Sequence, residues 1–240
     1  MMELSDEQRD KIAQRLTLHT DSSDCGQTLP LTRHALGLPA GTRSEQGERL
    51  EQLVHALSSE RVIIPVVLNG GNSDNHVEFT RAETPEGPAL AVFTSTDELA
   101  AFDPQARPLP VSTRLAALSA LVETRGLIVA DPRGANIVIP RPACNSPSVG
   151  DRWLPAWKDR ELAAGLLRII MDEGVRCVVD VRIHHGGGSR VIVELCAAAG
   201  GDERAVRREL SRAINCIHGS DRLKAAADQI VIAPTWVQAV

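Results

Sequence analysis

The segment Ala91-Val92-Phe93-Thr94-Ser95-Thr96-Asp97-Glu98-Leu99 joins a strand to a helix and decides the fold of the first half of the chain. The continuous apolar run from Ala89 to Phe93 is typical of a buried strand. Ser95 and Glu98 have the spacing of a helix N-terminal cap, so a short acidic helix that ends near Phe102 should follow. This strand-then-helix order indicates a mixed α/β architecture.

Two longer amphipathic helices are predicted on either side of this segment. The first runs from about Arg43 to Ser58, and Thr42 with Glu45 has the spacing of its capping box. The second runs from Ser112 to Thr124, and Gly126 stands where a glycine commonly ends a helix. Four apolar residues predict the face that this second helix turns toward the core: Leu115, Leu118, Leu121 and Val122.

The remaining elements of the first half are less regular. A helix is predicted from Ser5 to about Thr20, and the mixed Ser, Asp, Gly and Pro of residues 21–41 predict a loop. The β-branched run that begins at Val62 predicts a strand, and Pro65 indicates an edge or a bulge. In Asp131-Pro132-Arg133-Gly134 the positions of Pro and Gly predict a type I turn, and the apolar residues on both sides predict a hairpin.

The second half of the chain predicts a second small domain. Residues 143–150 carry Ser, Pro and Gly without periodicity, which predicts a linker between a domain over 1–142 and a domain over 151–240. After the linker, the predicted order is helix, strand, strand, helix, strand, which is partly ferredoxin-like. The predicted fold class is therefore α/β, in the α+β sense, with two small mixed-sheet domains.

Composition limits the classes of function. The chain has 240 residues and five widely spaced Cys without a C-x-x-C, so neither a disulfide framework nor a zinc ribbon is expected. A net charge of -5 and an aromatic content of 2% argue against nucleic-acid binding. The charged N-terminus is unlike a signal peptide, and a long apolar run is lacking. We expect a cytoplasmic protein with no metal, no cofactor, no nucleic acid and no membrane partner.

The segment from Ala91 to Leu99 resembles the N-terminal domain of the SseB family, which is named for enhanced serine sensitivity. The resemblance rests on a buried strand that ends in Phe-Thr-Ser, on the acidic helix that reaches Phe102, and on the sequence Gly126–Pro132. It covers about Leu50 to Pro140. Family members usually carry Asn-Pro where this chain has Asp131-Pro132. The element order of the second half is similar to that of the family's C-terminal domain.

The resemblance implies a bacterial cytoplasmic protein of a family without established catalytic activity, so it brings no active site to this chain. The leading hypothesis is a non-enzymatic protein-interaction or regulatory module, whose partner is another protein or a second copy of the chain. A surface groove near Phe93, Thr94 and Phe102 is the predicted binding site of the first domain.

The string His184-His185-Gly186-Gly187-Gly188 supports a rival hypothesis. Consecutive glycines let backbone amides approach an anion, and Arg190 would supply a positive charge, so the loop is a candidate site of a small-anion or amino-acid sensor or enzyme. The alternative is a glycine-rich hairpin loop. The two histidines are adjacent, so on a strand they face opposite sides and cannot bind one metal ion together.

Overall fold

The computed structural model describes residues 24–66, 79–149, 152–198 and 202–237. The helices are α1 (Pro30–Leu36), α2 (Arg43–Leu57), α3 (Thr96–Phe102), α4 (Thr113–Glu123), α5 (Arg141–Val149), α6 (Arg160–Asp172), α7 (Glu203–His218) and α8 (Asp221–Ala226). The strands are β1 (Arg61–Val66), β2 (Arg81–Thr84), β3 (Gly87–Val92), β4 (Arg107–Ser112), β5 (Ile128–Ala130), β6 (Ile137–Ile139), β7 (Val178–His185), β8 (Arg190–Ala198) and β9 (Gln229–Val237). The α/β class is confirmed. The helix predicted from Ser5 lies outside the described residues.

A four-stranded mixed sheet forms the centre of the first half, in the order β2-β3-β5-β6. Strand β3 is buried from Ala89 to Val92 and runs parallel to β5, as its apolar run predicts. Strands β5 and β6 form the predicted hairpin, in which the Gly134 N–H donates to the Asp131 carbonyl at 2.9 Å. Strands β1 and β4 pair separately, and a bridge between Ile63 and Phe93 joins β1 to the end of β3.

The predicted helix starts are confirmed by their caps. In α2, the Glu45 N–H donates to the Thr42 hydroxyl and the Thr42 N–H donates to the Glu45 carboxylate. In α3, the Glu98 N–H donates to the Ser95 hydroxyl at 3.2 Å. These bonds satisfy backbone donors that the first helical turn leaves unpaired, which is why the short motifs locate the helix starts well.

The predicted core face of α4 is only partly correct. Leu115 packs against the core, but the buried residues of the helix are Ala116, Ala117 and Ala120, and Leu118 and Val122 are exposed. The alanines let the helix α5 approach closely, and the Cys144 thiol lies 3.5 Å from the Ala117 carbonyl. Close packing against small residues therefore outweighs the burial of the larger apolar side chains.

Two segments predicted to be irregular are helical. Residues 141–149 form α5 instead of an extended linker, and Asp228 accepts the Arg141 N–H at 2.8 Å. Within the predicted loop, α1 begins at Pro30, and the Glu60 carboxylate accepts two N–H groups of its first turn. In both cases a carboxylate distant in sequence caps the helix, so local composition does not reveal it.

The second half has a three-stranded sheet, in the order β7-β8-β9, which we call the C-terminal sheet. Strands β7 and β8 are antiparallel, and β8 and β9 are parallel. Helices α6 and α7 bury one face of this sheet, with Leu166, Leu195 and Ile217 among the buried side chains. The predicted element order is confirmed, with α8 added before β9.

The opposite face of the C-terminal sheet, which we call the outer face, is built from the alternate residues. Its rows follow the strand register: His184, Ile192 and Val231; Arg182, Glu194 and Ala233; Asp180, Cys196 and Thr235. These side chains are more polar than those under α6 and α7. Of the helices that the structure describes, none has the length and apolarity needed to cross a membrane.

Candidate functional site

A cleft of about 550 Å³ lies between α2 and the C-terminal sheet, where most of its lining residues belong to the outer face. Helix α2 contributes Arg43, Ser44, Glu48 and Glu51, while the sheet contributes Ile183, His184, His185, Ile192, Glu194, Ala233 and Thr235. Trp157 and Lys158 close one side. The cleft thus combines residues from both halves of the chain.

The amphipathic pattern of α2 turns its polar side toward the cleft. Leu50, Leu53 and Leu57 are buried in the core of the first half, so the polar residues of the helix lie on the remaining surface. Gly47 sits where α2 meets β7, and a Cβ atom there would lie 3.0 Å from the His185 Cβ. A larger residue would separate the helix from the sheet, so this glycine sets how closely the two approach.

The two adjacent histidines face opposite ways, as strand alternation predicts. His184 is exposed, and its Nε2 lies 3.0 Å from the Glu194 carboxylate, an interaction that lowers the pKa of Glu194. His185 is 6% exposed, and its ring centroid lies 4.8 Å from that of Trp157. Burial lowers the pKa of His185, and within the described residues its Nδ1 has no hydrogen-bond partner.

The charges of the cleft are only partly paired among the described residues. Glu51 accepts a hydrogen bond from the Trp157 indole and lies 3.7 Å from the Lys158 ammonium group. Arg43 and Glu48 are exposed in the cleft, and neither makes a hydrogen bond or ion pair with another described residue. The cleft therefore offers one unpaired charge of each sign.

The glycine-rich string forms a hairpin loop that is closed by two backbone hydrogen bonds. The Gly186 N–H donates to the Arg190 carbonyl at 2.8 Å, and the Arg190 N–H donates to the Gly187 carbonyl at 3.1 Å. The Ser189 N–H points at the Glu86 carboxylate, 3.4 Å away. The negative charge of the neighbouring Glu86 carboxylate opposes the binding of an anion at this loop. Arg190 is exposed and does not line the cleft.

The predicted surface groove of the first half is not open in this structure, so that prediction needs correction. Phe93 is completely buried, and Thr94 is 2% exposed. Phe102 is half-buried, with its ring centroid 5.3 Å from that of Phe93 and 5.4 Å from the Arg133 guanidinium carbon. The apolar run that identifies the strand also places its end in the core.

Sequence reasoning missed one feature of each half. It placed no site residue on α2, although Arg43 and Glu48 of this helix line the cleft. It also ended the last strand near Ala233, whereas β9 continues to Val237 and exposes Trp236. The lack of any charged residue from 229 to 237 is the signal that indicates a longer, unusual strand.

Residues 38–145 match the family model of the SseB protein N-terminal domain. This segment of the chain is similar to the SseB N-terminal domain. The match confirms the resemblance and extends it at both ends. No curated protein and no solved structure matches the chain. The matched segment supplies α2 to the cleft, and the other cleft residues lie beyond the matched range. Among the described residues, no group of three His, Cys, Asp or Glu side chains is placed to hold a metal ion.

Proposed function

We propose that the chain is a non-enzymatic protein-interaction module of the SseB type, which binds an extended segment of a partner protein along the edge strand β9. The observation that carries this proposal is Trp236, which is 57% exposed on a strand that pairs, among the described strands, with β8 alone. The expected setting is the bacterial cytoplasm, in a process linked to serine sensitivity, as the family resemblance implies.

The composition of β9 supports this proposal. Exposed edge strands usually carry charged residues that prevent pairing with other chains. No residue from Gln229 to Val237 is charged, and Val231, on the opposite face of the strand from Trp236, is 42% exposed. An uncharged edge with exposed apolar side chains is suited to strand addition, in which backbone hydrogen bonds supply affinity and side chains supply specificity.

Pro234 restricts the register of the added strand. Proline lacks an N–H group, and within sheets it occurs on edge strands with its nitrogen turned away from the neighbouring strand. Pro234 stands opposite Leu195 of β8 on the edge strand, so by this preference we expect its nitrogen to face the open edge. A partner strand therefore loses one hydrogen bond at this position. The chemistry that fits is an extended, mainly apolar segment that packs beside Trp236, a residue type that often dominates binding energy.

A photo-crosslinking amino acid at position 236 tests the proposal. We expect a crosslink to one defined protein, or to a second copy of the chain, which native mass spectrometry distinguishes. The matched control carries the same group at position 122, where Val122 is 70% exposed on α4. With the captured protein purified, Trp236→Ala should weaken binding tenfold or more, equivalent to about 1.4 kcal/mol or more. Equal capture at both positions, or none at 236, would contradict the proposal.

A further inference from the structure

We propose that the cleft between α2 and the outer face of the C-terminal sheet binds a small zwitterion, a molecule that carries both an ammonium group and a carboxylate. The cleft includes Ala233 and Thr235 of β9 but not Trp236, and its ligand goes beyond the protein-interaction function. It rests on the charges that line the cleft, on its size and on one buried polar atom.

The charges of the cleft favour a ligand with both signs. Lys158 lies 3.7 Å from Glu51, and the His184 imidazole forms a hydrogen bond with the Glu194 carboxylate, so each of these four groups has a partner within the cleft. Arg43 and Glu48 remain, exposed and without a charged partner among the described residues, so each is available to a charged ligand. A carboxylate pairs with the planar guanidinium of Arg43, and an ammonium group pairs with Glu48. A simple anion or cation would satisfy only one of the two.

The His185 side chain supplies a second and independent indication of a ligand. It lines the cleft, it is 94% buried, and its Nδ1 makes no hydrogen bond within the described residues. Buried polar atoms nearly always have a partner, so the His185 Nδ1 is available to a ligand or a water molecule. The backbone amide and carbonyl of a peptide, or an amino group, are suitable partners for a neutral imidazole.

The volume of the cleft is in the range of small-molecule sites. Such sites commonly measure about 300–1,000 Å³, and this cleft measures about 550 Å³. A free amino acid and a short peptide both fit and share the required chemistry, since each has an ammonium group and a carboxylate. They differ in the separation of the two charges, and this difference is what the experiment uses.

Glycine, diglycine and triglycine have no side-chain carbon atoms and differ in the distance between their ammonium and carboxylate groups. Isothermal titration calorimetry of the full chain with each of them measures which charge separation the cleft prefers. We expect at least one of the three to bind, with the strongest at least tenfold tighter than the weakest. Preference for glycine identifies an amino-acid site, and preference for di- or triglycine identifies a peptide site. N-acetylglycine lacks the ammonium group and glycinamide lacks the carboxylate, so each should bind at least tenfold more weakly than glycine if glycine binds.

The variants Arg43→Gln and Glu48→Gln test the two contacts separately. Both side chains are exposed, so circular dichroism should show the wild-type fold. Each variant should bind the preferred probe at least tenfold more weakly, and Arg204→Gln with Glu203→Gln on the exposed face of α7 should have no effect. If no probe binds at about 10 mM, or if both cleft variants bind like wild type, the proposal is overturned. Crosslinking at position 236 in the same variants reports separately on the β9 edge.

Discussion

Asp131 shows how one buried carboxylate fastens a hairpin to a neighbouring strand. Its two oxygens accept the backbone N–H and the hydroxyl of Thr94, each at 2.8 Å. The residue is 1% exposed and has a φ of 48°, a left-handed conformation that Asp and Asn adopt more readily than most residues. Burial raises the pKa of Asp131 despite the two bonds from Thr94. Burial and the nearby Asp131 also raise the pKa of Glu98.

The raised pKa predicts that Asp131→Asn stabilises the protein at neutral pH. A carboxyl group whose pKa is higher in the folded state makes ionisation costly there, and this cost is present above the folded pKa and disappears below the ordinary value of 3.8. The asparagine side chain keeps an oxygen for the Thr94 N–H and avoids the buried charge. We expect a gain of about 1 kcal/mol, or about 2–4 °C in Tm, measured by thermal unfolding at neutral pH.

The gain should shrink as the pH falls, because the wild-type carboxyl becomes protonated and loses its penalty. Asp172→Asn on the exposed surface of α6 is the control and should change the Tm little at any pH. A variant at position 131 that is less stable than wild type at neutral pH would show that the carboxylate itself is required.

At the scale of elements, α4 demonstrates that side-chain size does not by itself decide which face of a helix is buried. Its alanine face packs against the core and α5, where Ala143 and Cys144 are buried. The burial of Cys144 raises the pKa of its thiol to about 12, as expected for a thiol that acts as a small apolar side chain. Larger residues at the alanine positions would push α5 away.

This packing predicts a contrast between two neighbouring positions of α4. Ala117→Leu should lower the free energy of unfolding by about 1–3 kcal/mol, because the added atoms have no space between α4 and α5. Leu118→Gln should change it by less than about 0.5 kcal/mol, because this side chain is 44% exposed. Urea unfolding followed by circular dichroism measures both. The opposite ranking would place the leucine face of α4 against the core.

At the scale of the whole molecule, Trp157 links the two halves. It packs against the hydrophobic core of each half, its indole donates to Glu51 of α2, and its ring contacts those of Trp153 and His185. A second link joins Arg141, at the start of α5, to Asp228, just before β9. Because His185 lies between Trp157 and α2, its charge state affects this contact region.

Acidification should therefore weaken the contact between α2 and the C-terminal sheet. Burial lowers the pKa of His185, so between that lowered value and the ordinary 6.5 the unfolded chain binds more protons than the folded one. Stability from this group is fully present above about pH 6.5 and is lost as the pH falls through that window. One proton contributes a slope of at most about 1.4 kcal/mol per pH unit.

Urea unfolding across this pH range, compared between wild type and His185→Asn, isolates the slope. We expect a smaller slope for the variant, since its neutral amide does not titrate. His184→Asn is the matched control, because that side chain is exposed on the opposite face of β7. If both variants retain the wild-type slope, the buried histidine does not control the contact.

Features that depend on residues close together in the sequence were predicted, whereas features that depend on residues far apart were not. The caps at Thr42 and Ser95, the hairpin turn at Asp131 and the alternation of His184 and His185 all depend on neighbours within a few residues, and each was predicted. The cleft was not, because it needs α2 and the C-terminal sheet to meet across more than 100 residues of chain. The β9 edge was missed because the pattern shows that a strand exists but not which strand lies beside it.

The sequence by itself determined the α/β class, the main helix starts, the buried strand β3 and the SseB resemblance, because short-range hydrogen bonds and apolar runs encode them directly. Only the tertiary structure decided that α1 and α5 are helical, that Phe93 and Thr94 are buried, and that alanines form the core face of α4. The physical reason is the same in each case. Capping groups and packing surfaces come from residues far away in the chain, and their contribution outweighs local preference.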